Sequence, residues 1–258
     1  MKQARSVLTQ SFDEAAEFDV LEINVLRGMK LSLKKTAKRV PPEIPDLLRL
    51  LAAAKSSRYQ HLDVVVLLAV TCGMRLAEAL GLRWSNIDFD AAKLYVRETV
   101  DRDGSMKAPK SEAGLRQINV DEDVVLALRA HQARQREWAR LCGSGYDSRA
   151  DLVNPRPNGK PWHVSRVSRH FASLAKSLCI AGTYHDLRHA HASDLLKNNV
   201  DPRTVANRLG HSDPKMTMSI YAHTGSDSDR KAANVMRALL REAAVPRNEA
   251  LAGNEATS

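Results

Sequence analysis

Cysteine is scarce and scattered. The 258 residues hold three, Cys72, Cys142 and Cys179, an odd number with no Cys-x-x-Cys pair. That spacing supplies neither a disulfide framework nor a cysteine zinc site, and it fits a reducing compartment. Long apolar runs are missing too. The longest, Val64 to Val70, falls far short of the roughly 20 residues that a membrane helix needs. The opening Met-Lys-Gln-Ala-Arg-Ser-Val-Leu lacks the apolar core of a secretory signal. No internal repeat is visible. These absences predict a cytoplasmic globular protein that does not enter a membrane. Acidic residues are in deficit: 30 Asp and Glu face 39 Lys and Arg, for a net charge of +9. Such a balance favours a polyanionic partner, nucleic acid before an anionic membrane, although an ordinary basic enzyme carries similar charge.

What is present describes a folded chain. An apolar share of 43% and a charged share of 27% suit a soluble domain. The length allows one large domain plus a fragment. Residues 1–26 predict one amphipathic helix, with Val7, Leu8, Phe12, Ala15, Ala16 and Phe18 near helical spacing. Residues 27–42 carry basic residues and no acid before Pro41-Pro42, and read as a linker. It serves either as a solvated tether or as a strip lying along nucleic-acid phosphates.

From residue 43 the patterns predict helices near 45–55, 62–72 and 74–82. Short strands follow at 87–89 and 94–96, and a third at 114–120. Asp121 caps a long helix to about Leu141. Asn158-Gly159 marks a turn. Helices are predicted near 163–180, 185–198 and 202–209. Another, opened by Asp213-Pro214, carries Tyr221, and a last amphipathic helix covers 230–243. Residues 244–258 read as a disordered tail. The fold class is α+β: a mostly helical domain, 43–243, with a small three-stranded antiparallel sheet.

Four polar groups stand out on an apolar frame within 184–223: His185, Arg188, His211 and Tyr221. His185 and Arg188 are three apart and share a helix face. An arginine and two histidines suit an anionic centre that gains charge during reaction, and a tyrosine hydroxyl is a candidate nucleophile. The anion implied is a phosphate. Arg75 follows a glycine turn at a helix start, and Glu78, three residues on, is placed to pair with it. Lys110 lies in the turn between the second and third strands, with Lys107 nearby.

A rival reading starts from His185-Asp-Leu-Arg-His189, one methylene from the zinc motif H-E-x-x-H. Asp186 is too short to copy the glutamate base easily, Arg188 would set a cation beside the metal, and no third ligand is obvious, although His191, His211 and His223 are available. His189 and His191 read as structural, and Trp84 and Trp162 as packing residues.

Three blocks in order, Gly-Met-Arg-x-x-Glu-Ala at 73–79, Lys-Ser-x-x-x-x-Arg at 110–116, and His-Asp-Leu-Arg-His…Leu-Gly-His…Tyr at 185–221, resemble the catalytic domain of the tyrosine recombinase, or phage integrase, family. The resemblance covers about residues 43–240. It implies strand exchange on double-stranded DNA with no metal or other cofactor, for integration or excision of a mobile element. Tyr221 would attack a scissile phosphodiester and form a 3′-phosphotyrosyl link. Arg75 and Arg188 would hold the non-bridging oxygens, with a further hydrogen bond from His211. Lys110 would protonate the departing 5′-oxygen, and His185 would help to remove the tyrosine proton.

Family members usually carry a helical core-binding domain that clamps DNA together with the catalytic domain. Residues 1–26 resemble only the last helix of such a domain, and Asn24-Val25 stands where Asn-Pro is expected. The chain thus reads as truncated, which predicts weak, strongly salt-dependent DNA binding. The family's C-terminal segment packs on a neighbouring subunit in a tetramer on DNA. Met236, Leu239 and Leu240 either do the same here or cap their own domain. A second functional reading is a DNA-binding remnant that no longer recombines.

Overall fold

A computed structural model describes residues 2–29, 40–101, 103–109 and 111–211. Lys110, residues 30–39 of the expected linker, the helix expected from Asp213-Pro214 with Tyr221, the helix expected at 230–243 and the tail at 244–258 lie outside the described residues. The chain divides into two compact units, residues 1–39 and 40–258.

In the first unit α1 spans Lys2–Glu17. The helix expected over 1–26 therefore ends nine residues early. Asp19 adopts a left-handed φ of 55°, and the Val20 N–H reaches back to the Ala15 carbonyl at 2.9 Å. That bond closes the last turn in the manner of a helix C-terminus. The chain then folds back along α1. The Asn24 amide donates to the Thr9 carbonyl at 2.9 Å and to Asp13 at 2.7 Å, and Arg5 donates to the carbonyls of Leu26 and Met29. A side chain that satisfies backbone groups locally competes with continued helix, which is why the apolar periodicity overran.

Among the described residues of the second unit the helices form where their patterns predict. α2 is Ile44–Lys55, with Pro45 in its first turn and Asp46 beside the positive helix end. α3, Leu62–Cys72, is apolar nearly all round and buried. Gly73 closes it at φ 63°, and α4 follows at Leu76–Gly81. β1 (Ile87–Asp88), β2 (Lys93–Val96), β3 (Thr99–Val100), β4 (Met106–Lys107) and β5 (Arg116–Asn119) come next. The expected three-stranded sheet is present in the order β1-β2-β5, all antiparallel, with Leu94 opposite both Ile87 and Ile118. The separate β3–β4 ribbon was not expected. Its two-residue strands are too short to show a period, and the turn is fixed instead by Gly104 at φ 88° and by the Asp101–Lys107 ion pair.

α5 is Glu122–Cys142, capped by Asp121, whose carboxylate accepts from the Val124 N–H at 2.9 Å. α6 (Val164–Ser177), α7 (Tyr184–Lys197) and α8 (Pro202–Leu209) complete the described residues. Three apolar clusters lie among the described residues: a small one joins α7 to α8 through Leu196 and Leu209, and two larger ones meet at α3. Of the larger two, one packs α2, α3, α6 and α7 through residues such as Leu50, Val65, Phe171 and Leu187. The other packs the sheet against α3 and α5 through Leu68, Leu94, Ile118 and Leu128. α3 contributes to both, so the segment that follows it is held on two sides.

Candidate active site

The site grows from the exit of α3. Gly73 takes a left-handed turn that brings Arg75 to the start of α4. A Cβ on Gly73 would lie 2.5 Å from Leu209 and 2.7 Å from His191, so the backbone approach of α3 to α7 and α8 requires glycine. Glu78, in the first turn of α4, accepts from the Arg75 backbone N–H at 2.9 Å and from its Nη1 at 2.7 Å. The Arg75–Glu78 pairing expected from their spacing is therefore formed.

Glu78 also serves a partner the spacing did not reveal. Arg116, at the start of β5, donates Nη2 to Oε2 at 2.8 Å and Nη1 to Oε1 at 3.1 Å. Arg188 Nη1 lies 4.0 Å from Oε2. Three guanidinium groups thus surround one carboxylate that is only 2% exposed. Burial pushes the Glu78 carboxyl up, but hydrogen bonds and charge from Arg116, with further help from Arg75, more than offset this and hold it below the usual range.

The same three arginines grip three successive carbonyls at the end of α8. Arg116 Nε donates to the Arg208 carbonyl at 2.7 Å, Arg188 Nη2 to Leu209 at 2.6 Å, and Arg75 Nη2 to Gly210 at 3.2 Å. These carbonyls lie at a helix C-terminus, where partners within the helix run out and the dipole favours cations. Gly210, at φ 67°, ends the helix, and His211 follows it. Arg208 braces the helix from the other side: it donates to Thr71 and Asn119 carbonyls at 3.0 Å each and lies 3.3 Å from His191 Nε2. His191 Nδ1 sits 2.8 Å from the Val70 carbonyl. An arginine can only donate, so Nε2 accepts and the proton is on Nδ1. Burial pushes the His191 pKa down to about 4, which keeps the ring neutral for this bridge.

Exposure separates the arginines. Arg75 is 41% exposed, whereas Arg188 is 3% and Arg116 6% exposed. Arg188 also donates Nη1 to the Gly73 carbonyl at 2.7 Å. Burial and the charge of Arg75 push its pKa down to about 9, still high enough for it to be cationic at neutral pH. Three positive charges against Glu78 leave an excess of two among these four side chains. An anion arriving at Arg75 meets that excess from a low-dielectric wall.

Capping fixes the start of α7. Thr183 N–H and Oγ1 bond to Asp186 Oδ2 at 2.6 and 2.8 Å. His185 then stands exposed on the first turn, its ring edge-on to His189 with centroids 4.6 Å apart. Desolvation, then His189 and Arg188, lower its pKa from 6.5. His211 is pushed down to about 4 by burial and by Arg188 and Arg75. Both rings are therefore neutral at pH 7, His185 as an available base and His211 as a neutral hydrogen-bond donor. Tyr184, next to His185, is unsuited as a nucleophile: its hydroxyl donates to the Val65 carbonyl at 3.0 Å, and burial raises its pKa well above 10.

The structure thus gathers Arg75, Arg188 and His211 around the end of α8, with His185 one turn from Arg188 on α7. Lys110 and Tyr221 lie outside the described residues. Among the described residues no three His, Cys, Asp or Glu are grouped as metal ligands, and His223, a further candidate of the zinc reading, lies outside them. Sequence reasoning missed Arg116 and Arg208 as site builders. A signal for Arg116 was available, since it sits two residues before buried Ile118 and so shares the inward face of β5.

Comparison with known proteins fits this geometry. Residues 43–227 match the family model described as "Phage integrase family". A "Tyrosine recombinase XerC-like" protein of Caldanaerobacter subterraneus subsp. tengcongensis is 27% identical over 244 residues, covering 86% of this chain and 62% of that protein. An "Integrase" of Staphylococcus phage L54a is 26% identical over 167 residues, 62% of this chain and 47% of that protein. The chain thus spans less than two thirds of these relatives. The Tn1549 transposon integrase, solved in complex with a circular intermediate DNA, shares the fold with a TM-score of 0.74 at 22% identity, over 91% of this chain and 78% of that one.

Proposed function

The chain belongs to the phage integrase family, and from that premise we propose that it breaks and rejoins double-stranded DNA through a 3′-phosphotyrosyl intermediate, in the integration or excision of a mobile element. The observation that carries the proposal is the arginine arrangement at the end of α8, where an exposed Arg75 stands before two buried guanidinium groups and beside His211. Such a site is preorganised for the charge that builds on a phosphate in the transition state. The names of the relatives and the DNA in the transposon integrase structure agree with a nucleic-acid substrate.

In the proposed reaction the Tyr221 oxygen attacks phosphorus as the bond to the 5′-oxygen breaks. His185, neutral and exposed, takes the phenolic proton, and Lys110 protonates the leaving oxygen. Arg75 and Arg188 balance the non-bridging oxygens, and His211 donates one further hydrogen bond. A free phenol titrates near pH 10, so attack at neutral pH needs the base and the cationic surroundings together. Resealing reverses these steps with another 5′-hydroxyl, and the phosphodiester energy is kept in the phosphotyrosine. We place the reaction in the cytoplasm, in an assembly of several copies on DNA. No helix of the described residues is long and apolar enough to cross a membrane.

The test uses supercoiled plasmid in EDTA, quenched with detergent, and follows protein-linked DNA. The adduct is expected from the natural protein and from Tyr184→Phe, and is absent from Tyr221→Phe. An adduct that persists in Tyr221→Phe would overturn the assignment.

A further inference from the structure

We propose that Arg116 is a positioning residue for the strand-cleavage site: it fixes Glu78 and the end of α8 together, and thereby sets the guanidinium of Arg75. The proposal rests on the functional reading above and adds a residue to it. The hydrogen-bond partners of Arg116 are one carboxylate and two backbone carbonyls, all within the protein. Its side chain is 6% exposed, yet it makes four hydrogen bonds to three separate segments. Two go to the carboxylate of Glu78 on α4, one to the Arg208 carbonyl on α8, and one to the Gly114 carbonyl at 3.2 Å, in the turn that leads into β5.

Arg75 depends on the same two anchors. Its Nη1 binds Glu78 Oε1, the oxygen that also accepts from Arg116 Nη1, and its Nη2 binds the Gly210 carbonyl, two residues beyond the carbonyl held by Arg116 Nε. Without Arg116, Glu78 keeps one close cationic partner instead of two and can rotate with Arg75. The end of α8 loses the first of its three guanidinium contacts. Gly210 shows how closely the parts fit: a Cβ there would lie 2.7 Å from the Ala113 carbonyl and 3.0 Å from Arg116 Nη1. A lysine at 116 would keep the charge but present a single ammonium where a planar fork now spans both carboxylate oxygens.

The experiment compares the natural protein with Arg116→Lys and Arg116→Gln in the full chain. Rotation of the Arg75 guanidinium is followed by nitrogen-15 NMR, with the signal assigned through Arg75→Lys. Retention of supercoiled plasmid and the rate of adduct formation are measured in parallel. The expected result is faster guanidinium rotation at Arg75, plasmid retention within twofold, and an adduct rate lowered at least tenfold. That split between binding and chemistry is not what general loss of folded protein produces, since unfolding lowers both together. Arg116→Gln keeps a planar amide that can bond one Glu78 oxygen, so it supplies the comparison if Arg116→Lys does not fold. Unchanged rotation at Arg75 in the folded variant would overturn the proposal whatever the adduct does. Faster rotation in a protein whose natural form yields no adduct would uphold the positioning role and defeat the recombinase reading instead.

Discussion

Arg116 and Glu78 meet in a two-bond pair in which both side chains are almost wholly buried, and the pair joins a strand to the helix that carries Arg75. Taking two charges out of water is costly, and their attraction repays it only when the remaining donors and acceptors are satisfied. Here they are: Arg116 also binds two carbonyls, and Glu78 also binds the backbone and side chain of Arg75. The pair is thus part of a network that reaches solvent through Arg75, while Arg188 stays buried.

Removing the carboxylate charge leaves buried arginines opposed to one another. Glu78→Gln is expected to lower stability by about 3–5 kcal/mol, the usual cost of breaking a buried pair on one side, and to abolish the adduct. Urea unfolding checks the first, and detergent-quenched plasmid the second. A stable, active Glu78→Gln protein would show that the carboxylate charge is dispensable.

Arg75 is half in solvent, so its loss should spare the fold and damage the chemistry. Arg75→Ala is expected to slow adduct formation by roughly 10²- to 10³-fold, the effect of losing one donor aimed at developing charge. If Arg75 holds a phosphate as proposed, the slope of log affinity against log salt should shrink by about 1. Filter binding across a salt series measures this.

The histidines predict a direction for stability against pH. His61, His191 and His211 all have folded pKa values pushed from 6.5 down to about 4, chiefly by burial. Between those values the unfolded chain binds protons that the folded chain does not, so stability is highest above pH 6.5 and falls as pH drops toward 4. Each such proton contributes a slope of about 1.4 kcal/mol per pH unit. Glu78, with its pKa below 4.5, extends the loss into more acid conditions. Urea midpoints from pH 7.5 to 4 should show the fall, and His191→Gln should make it shallower by about one proton.

Gly73 tests the backbone. Alanine there must adopt the left-handed region, at about 1–2 kcal/mol, and must also displace Leu209 and His191 from its Cβ. Gly73→Ala is expected to lower the thermal midpoint and the adduct rate together, because the same turn delivers Arg75. Calorimetry on the variant reads the first effect directly.

Much of this protein was legible in the chain itself. The α3 boundaries, the Gly73 turn, the Asp121 cap and the antiparallel sheet all follow from local signals: apolar period, glycine at a left-handed position, a side chain that reaches the first free N–H. The candidates Arg75, His185, Arg188 and His211 stood out as polar groups on an apolar frame, and the family came from the resemblance of the three ordered blocks that hold them. The N-terminal helix was overextended because its periodicity continued past the point where Asn24 turned the chain back. The β3–β4 ribbon escaped because two-residue strands have no period to detect.

The sequence determined which elements form and which side chains have the chemistry for a phosphate, because helix caps, glycine turns and apolar spacing act within a few residues. Only the tertiary structure decided which of the many cations are buried and which carboxylate holds them. Glu78 lies 38 residues from Arg116, and Arg75 lies 135 residues from the Gly210 carbonyl it binds. No local pattern records such distances. They arise because α3 packs into both larger apolar clusters and carries the start of α4 to the end of α8, where free helix carbonyls and a buried carboxylate give three arginines a common place to converge.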